Sequence, residues 1–317
     1  SRCAHDCTAA FIIYTHLKMN KTKPKRVNLQ AKDFSNKDYY PGTLDNPFHK
    51  INRIYDGLSK LPAPFYAVLF GGIFYLISGH LSKAFLYTGF IFLDWLLLKL
   101  LPILRISFGK THLVVVLLAI MRMPFLLFTL PVSLIIQGLG TALVIYGFYI
   151  EPQFPKVSNY HISIPGKQGE TKTIRIIHLS DLHMEFITKL EDRVIKKVNA
   201  LTPDLILYTG DFFNLSFQNH PDSLREVIRF FNQIDAKSGI FGVTGSPAVD
   251  IPKSIAEIKP TLKLKLLDDS TTIVIINGMK IRLIGMCCTH KPDTDASRLE
   301  KLLDDSKADA NILLYHS

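Results

Sequence analysis

The polarity of the chain changes twice along its length. Residues 19 to about 60 are polar and carry the turn signals Pro41-Gly42 and Asn46-Pro47. Three long apolar runs follow: Phe65 to Leu81, Phe85 to Leu104, and Leu113 to Ile150, the last interrupted by Arg122 and Pro131. A helix needs about 20 apolar residues to cross the hydrocarbon core. The third run holds two such lengths, so the pattern predicts an all-α transmembrane bundle of about four helices over residues 64–150, after a polar basic segment at 1–63. The stretch 151–173, with Pro152, Pro155, Pro165 and Gly166, reads as a polar linker.

From Ile174 onward, short apolar runs alternate with amphipathic ones. Ile174 to His183 reads as a buried strand with Asp181 and His183 at its carboxyl end, and Leu190, Val194, Val198 and Leu201 then recur at helical spacing. Leu205 to Thr209 reads as a second strand, Leu224, Val227, Ile228, Phe231 and Ile234 as the next helix face, and Gly239 to Thr244 as a third strand. Asn277-Gly278 between Thr271–Ile276 and Lys280–Ile284 signals a two-residue hairpin. An amphipathic segment with Leu299, Leu302 and Leu303 precedes a closing apolar strand at 311–317 that ends in His316. This alternation predicts an α/β domain of layered sheets flanked by helices over residues 174–317.

Charge sets the expected setting. The net charge of +10 comes substantially from the N-terminal segment, through Lys21, Lys23, Lys25, Arg26, Lys32, Lys37, Lys50, Arg53 and Lys60. Ahead of apolar spans, such a segment stays on the cytoplasmic side and attracts anionic lipid, so membrane lipids are expected partners. Four spans return the chain to that side and place the α/β domain in the cytoplasm; an odd number places it outside. No basic groove interleaved with aromatics is present, and nucleic acid is not an expected partner. Within the spans, Asp94, Lys99 and Arg122 each carry an insertion cost of about 2.5–3.5 kcal/mol. Lys99 is expected to reach the interface and Asp94 to find a polar partner in the bundle. The four cysteines form no disulfide framework, and Cys3, His5 and Cys7 make at most half a metal site. Met19 is a candidate initiator, which would make residues 1–18 non-native.

Candidate chemistry sits at the strand ends. Asp181 and His183 end the first strand, and in extended backbone residues i and i+2 point the same way, so the two can converge on a metal. An N-capping Asp beside a surface His is the alternative. Gly210-Asp211 follows the second strand, and right-handed crossovers bring successive carboxyl ends to one sheet edge. His178 reads as an inter-strand histidine, while Asn214, His220 and His290 lie on loops that could approach the same pocket.

In order, Asp181-Leu182-His183, Gly210-Asp211, the loop at Gly245 and a strand ending in His316 resemble the calcineurin-like metallophosphoesterase superfamily. Within it the match is closest to a membrane-attached bacterial branch related to UDP-2,3-diacylglucosamine pyrophosphatases. The resemblance covers roughly residues 150–317. It implies two divalent cations of the Mn, Fe or Zn type, with Asp181 and His183 on the first, His316 on the second and Asp211 bridging them. It also implies hydrolysis of a phosphoester or pyrophosphate, with a lipid-linked or nucleotide-linked substrate. Asn214 is the candidate substrate contact.

Two departures qualify the resemblance. The family's third motif is Gly-Asn-His, where this chain has Gly245-Ser246-Pro247 with Asp250 downstream. Ser246 is a poorer metal ligand than an amide carbonyl, and Pro247 carries no titratable proton. Loss of a general acid costs about 10²- to 10⁴-fold. That leaves Asp250 or water to move protons, a substrate with a good leaving group, or a binding or scaffolding role without turnover. The family's closing Gly-His-Xaa-His motif does not occur before Ser317, so the domain is expected to be incomplete at its C-terminal end.

Overall fold

The computed structural model describes residues 10–17, 61–106, 111–164, 173–214, 217–247, 249–289, 291–303 and 307–316. The Cys3, His5 and Cys7 cluster, Met19, the basic residues up to Lys60, and His290 lie outside the described residues. The chain divides into an apolar helical unit within Pro47–Phe154 and an α/β unit built from Pro155 onward together with an N-terminal strand.

The helical unit comprises α1 (Ala63–Ser78), α2 (Leu81–Ile103), α3 (His112–Arg122) and α4 (Leu130–Ile145). A π turn and a 3-10 turn prolong α4 to Gln153. Each predicted apolar run is thus helical, but the expectation of four full-length spans needs correction. Among the described residues, only Leu81–Ile103 and Leu130–Gln153 are long and apolar enough to cross a membrane. The others are cut short by local chemistry: Gly79, at φ 67, closes α1 with its amide on the Tyr75 carbonyl, and Pro124 converts the end of α3 into a 3-10 turn over Met123–Leu127.

The outside of this unit is apolar, and a few polar side chains lie inside among its apolar core. Leu76, Phe85, Ile103, Leu127 and Leu143 are exposed, whereas Asp94, Arg122, Ser133 and Gln137 are buried. Arg122 meets Asp94 in a forked pair, Nε to Oδ2 at 2.6 Å and Nη2 to Oδ1 at 2.7 Å. Its remaining N–H groups donate to the Gln137 carbonyl and side chain and to Thr141 Oγ1. The guanidinium also lies over the Phe90 ring. A planar five-donor head satisfied on all sides is how a buried charge is tolerated. Asp94 therefore has its partner. Lys99 is exposed, and Lys83 caps the carbonyls of Leu126 and Phe128.

In the α/β unit, β1 (Ala10–Leu17), β2 (Val157–Ile164), β3 (Thr173–Leu179), β4 (Leu205–Thr209), β5 (Ile240–Val243) and β6 (Lys265–Leu266) form one sheet in the order β2-β1-β3-β4-β5-β6. Strands β3 to β6 run parallel, and β1 is antiparallel to β3. Strand β2 occupies the stretch that reads as linker; the spacing of Tyr160, Ile162 and Ile164 was masked by the prolines and polar residues around it. Helices α5 (Lys189–Ala200), α6 (Pro221–Gln233) and α7 (Pro252–Ile258) make the crossovers, with Val194 and Val198 on α5 and Leu224, Val227 and Phe231 on α6 buried.

A second sheet, in the order β7-β8-β9, contains β7 (Ser270–Ile276), β8 (Met279–Met286) and β9 (Ala310–Tyr315), with α8 (Pro292–Leu302) between the last two. Asn277 and Gly278, at φ 51 and 77, form the tight turn their sequence signals. Ile174, Ile176, Leu205 and Leu207 of the first sheet pack against Ile276, Ile281, Leu283 and Leu314 of the second. Each such side chain contributes about 1.5–3 kcal/mol on burial. This core fixes the carboxyl ends of β3, β4, β5 and β9 relative to one another.

Candidate metal centre

Strand β3 ends at Leu179, so Asp181 and His183 lie beyond it, at φ 54 and 43; Asp211 follows β4 at φ 59. The extended-backbone argument for Asp181 and His183 is thereby corrected. All three residues adopt the left-handed conformation, which costs of order 1 kcal/mol or more for a non-glycine residue and is most accessible to Asp, Asn and His. The main chain holds them there. The amides of Asp181, His183 and Met184 donate to the carbonyls of Gly210, Asp211 and Phe212 at 3.0, 3.1 and 2.8 Å, prolonging the contact between the two strands into their loops.

The loop after β5 closes on the loop after β4 with no room for a side chain. A Cβ on Gly210 would lie 2.4 Å from Gly245 Cα, and one on Gly245 would lie 2.2 Å from Asp211 Oδ1. Ser246 then donates twice to that oxygen, from its amide at 2.8 Å and its hydroxyl at 2.9 Å. Buried Asp250 faces the main chain: Oδ2 accepts from the amides of Asp211 and Gly245, and Oδ1 from that of Phe212. Burial, and next the charge of Asp211, push its carboxyl up to about 7 against the pull of those amides.

Asp211 stands at the centre, almost fully buried, with its two oxygens facing different histidines. His183 Nε2 is 3.6 Å from Oδ2 and 3.8 Å from Asp181 Oδ1, and His316 Nε2 is 3.5 Å from Oδ1. The opposite ring nitrogens meet carbonyls: His316 Nδ1 is 2.6 Å from that of Thr209, and His183 Nδ1 is 3.3 Å from that of Phe213. A carbonyl only accepts, so each Nδ1 donates there, and in the neutral tautomer each Nε2 presents a lone pair to the carboxylates. Lone pairs facing each other fit a shared cation. Two ligand atoms each about 2.1 Å from one ion stand about 3.0–3.6 Å apart, close to the spacing here. Asp181, Asp211 and His316 each bring a ligand atom within 4.8 Å of the others. Carboxylate and imidazole donors suit Mn, Fe and Zn alike.

The other candidates sit around this centre. The Ser180 hydroxyl donates to Asp181 Oδ2. His178 bonds Thr209 Oγ1 across the strands at 2.7 Å, and burial lowers its pKa against the opposing charge of Asp181. Asn214 follows Phe213, and its amide donates to the Met184 carbonyl. His220 caps α6 by accepting from the Asp222 amide. Two contributors were not legible in the sequence. The carbonyls of Thr209 and Phe213 are main-chain groups with no residue signature, and Tyr208, whose hydroxyl touches both ligand loops, shows only as an aromatic in an otherwise aliphatic strand.

No family model matches the chain. Over 104 residues it is 27% identical to the UDP-2,3-diacylglucosamine pyrophosphatase LpxG of Chlamydia trachomatis serovar D, and equally to the protein of that name from Chlamydia muridarum. The similarity covers 32% of this chain and 31% of each relative, so the chain spans about a third of the length of the curated relatives it matches.

Proposed function

We propose that the chain is a divalent-metal phosphohydrolase held at a membrane, cleaving a phosphoanhydride bond in a nucleotide-linked lipid. The observation that carries this reading is the placement of Asp211, with one oxygen toward His183 and the other toward His316, each imidazole pinned through Nδ1 to a carbonyl. The names of the two relatives point to UDP-2,3-diacylglucosamine as the substrate to test. Asp181, His183, Asp211 and His316 would hold two cations, with Ser246 Oγ a weaker donor beside them. Such cations supply charge neutralisation at the phosphoryl oxygens and a nucleophilic hydroxide at neutral pH.

The chain's own residues then set the substrate requirement. The Ser246 hydroxyl is committed to Asp211, Pro247 has no proton to give, and Asp250 faces three amides. Asp250 therefore positions the two loops and does not relay protons. A phosphate leaving group is a weak base and departs without a general acid, which suits a pyrophosphate bond better than an alkyl phosphoester. Asn214 is a candidate contact for the substrate.

The apolar exterior of the helical unit supports a bilayer setting, with the forked Asp94–Arg122 pair inside and aliphatic side chains outside. The two helices long enough to span, Leu81–Ile103 and Leu130–Gln153, return the chain to the side of its basic N-terminal segment, the cytoplasmic side.

The test is hydrolysis of UDP-2,3-diacylglucosamine by the full chain in Mn²⁺-supplemented micelles, compared with Asp211→Asn. Removal of outer partners of metal ligands costs about 10- to 100-fold, so loss of the bridging ligand should cost at least about 100-fold. The substitution of Pro247 favours a second reading, binding without turnover. Equal, negligible rates in both proteins with Mn²⁺ binding retained by the wild type would select it.

A further inference from the structure

We infer that Tyr208 is a positioning residue whose hydroxyl sets the two ligand loops in register, an inference that rests on the metal-centre reading above. Its ring is fully buried, packed against Phe212 at 4.5 Å and Phe231 at 5.1 Å between centroids. A phenylalanine would satisfy that aromatic cluster. The hydroxyl needs polar partners, and both are main-chain groups of the ligand loops: it donates to the Asp211 carbonyl at 3.0 Å and accepts from the Leu182 amide at 3.4 Å. Leu182 separates Asp181 from His183, so one oxygen atom ties the loop carrying two ligands to the residue carrying the third.

The placement of this contact matters because the ligands are held in an uncommon conformation. Asp181, His183 and Asp211 are all left-handed, and the Asp211 carbonyl also accepts the His183 amide at 3.1 Å. Without the Tyr208 hydroxyl, the Leu182 amide loses its bond to that oxygen in a closed core, and the strained residues flanking it lose one of the contacts that fix them. Strand β4 is already anchored by its ladders to β3 and β5. Tyr208 is thus a rigid post, and its hydroxyl transmits that rigidity to the ligands.

The experiment measures Mn²⁺ binding by calorimetry and by electron paramagnetic resonance, with metal-free melting temperatures, for the full chain and two variants. Tyr208→Phe removes one oxygen and keeps the ring contacts; Phe231→Leu loosens the ring packing and keeps the hydroxyl. Outer partners of metal ligands are worth about 10- to 100-fold in affinity, so Tyr208→Phe should weaken Mn²⁺ at least about 10-fold and broaden its resonance. Phe231→Leu should lower the melting temperature with affinity unchanged within about two-fold. Wild-type affinity in Tyr208→Phe would overturn the inference, as would equal losses in both variants or a Tyr208→Phe chain that does not fold where Phe231→Leu does. A wild-type chain that binds no Mn²⁺ would instead overturn the metal-centre reading, and this inference with it.

Discussion

The Nε2 of His316 stands 3.5 Å from Oδ1 of Asp211 while its Nδ1 rests on the Thr209 carbonyl. In its neutral tautomer the ring turns an acceptor toward an acceptor, an arrangement that a cation makes favourable. Substitution of His316 should remove one of two metal equivalents and leave the one served by Asp181 and His183. Calorimetric titration of His316→Ala with Mn²⁺ is expected to show a stoichiometry falling from two toward one. An unchanged stoichiometry would take His316 out of the ligand set.

Close approach of two loops predicts a severe effect from one methyl group. At Gly210, φ is 86 and a Cβ would meet the main chain of Gly245 at 2.4 Å. Gly210→Ala should destabilise the α/β unit by about 3 kcal/mol or more, combining overpacking with left-handed strain. Urea unfolding followed by tryptophan-independent probes such as circular dichroism reads this directly, and a loss below about 1 kcal/mol would show that the loops can separate cheaply.

Acid should weaken the start of β4 through Asp204. Its Oδ2 accepts the Arg175 amide at 2.8 Å and its Oδ1 the Lys237 ammonium at 2.9 Å. Burial by itself would raise this carboxyl, but those two partners outweigh it and hold the pKa below the ordinary carboxylate range. A depressed folded-state pKa gives stability that is present above the unfolded value of about 3.9 and is lost as pH falls through the lower folded value. Asp204→Asn should cost about 1–2 kcal/mol at neutral pH. The gap from wild type should narrow below about pH 4; a gap independent of pH would assign the effect to packing.

In the helical unit, Arg122 and Asp94 should behave as a pair. Removing one partner leaves a buried charge and costs about 3–5 kcal/mol, whereas replacing both with apolar residues costs far less. Thermal unfolding in detergent of Arg122→Met, Asp94→Leu and the double variant tests this. A loss in the double variant equal to the sum of the two single losses would deny the coupling.

Much of this architecture is legible in the residues, for identifiable reasons. Ile174 to Leu179 announces a buried parallel strand because Ile174 and Ile176 on one face and Ile177 and Leu179 on the other outweigh Arg175 and His178, and Asn277-Gly278 announces a hairpin because only such residues accept its two positive φ values. Asp181, His183, Asp211 and His316 are conspicuous because strand ends are where parallel sheets gather side chains. Their backbone is not legible. Whether Asp181 is extended or left-handed depends on the Gly210 carbonyl that its amide meets, a partner 29 positions away in sequence and without side-chain identity. Asp250 illustrates the same limit: that its carboxylate accepts from the amides of Asp211, Phe212 and Gly245 cannot be read from its place in the sequence. Apolar length likewise predicts helices at α1 and α3 but not where Gly79 and Pro124 stop them.

The most direct test of the metal centre is an anomalous difference map from crystals of the full chain soaked in Mn²⁺. The expected result is two peaks flanking the Asp211 carboxylate, one about 2.0–2.3 Å from donors of Asp181 and His183 and the other at that distance from His316 Nε2. A map with no peak beside Asp211, from crystals in which His183 and His316 keep their Nδ1 contacts, would contradict the metal centre.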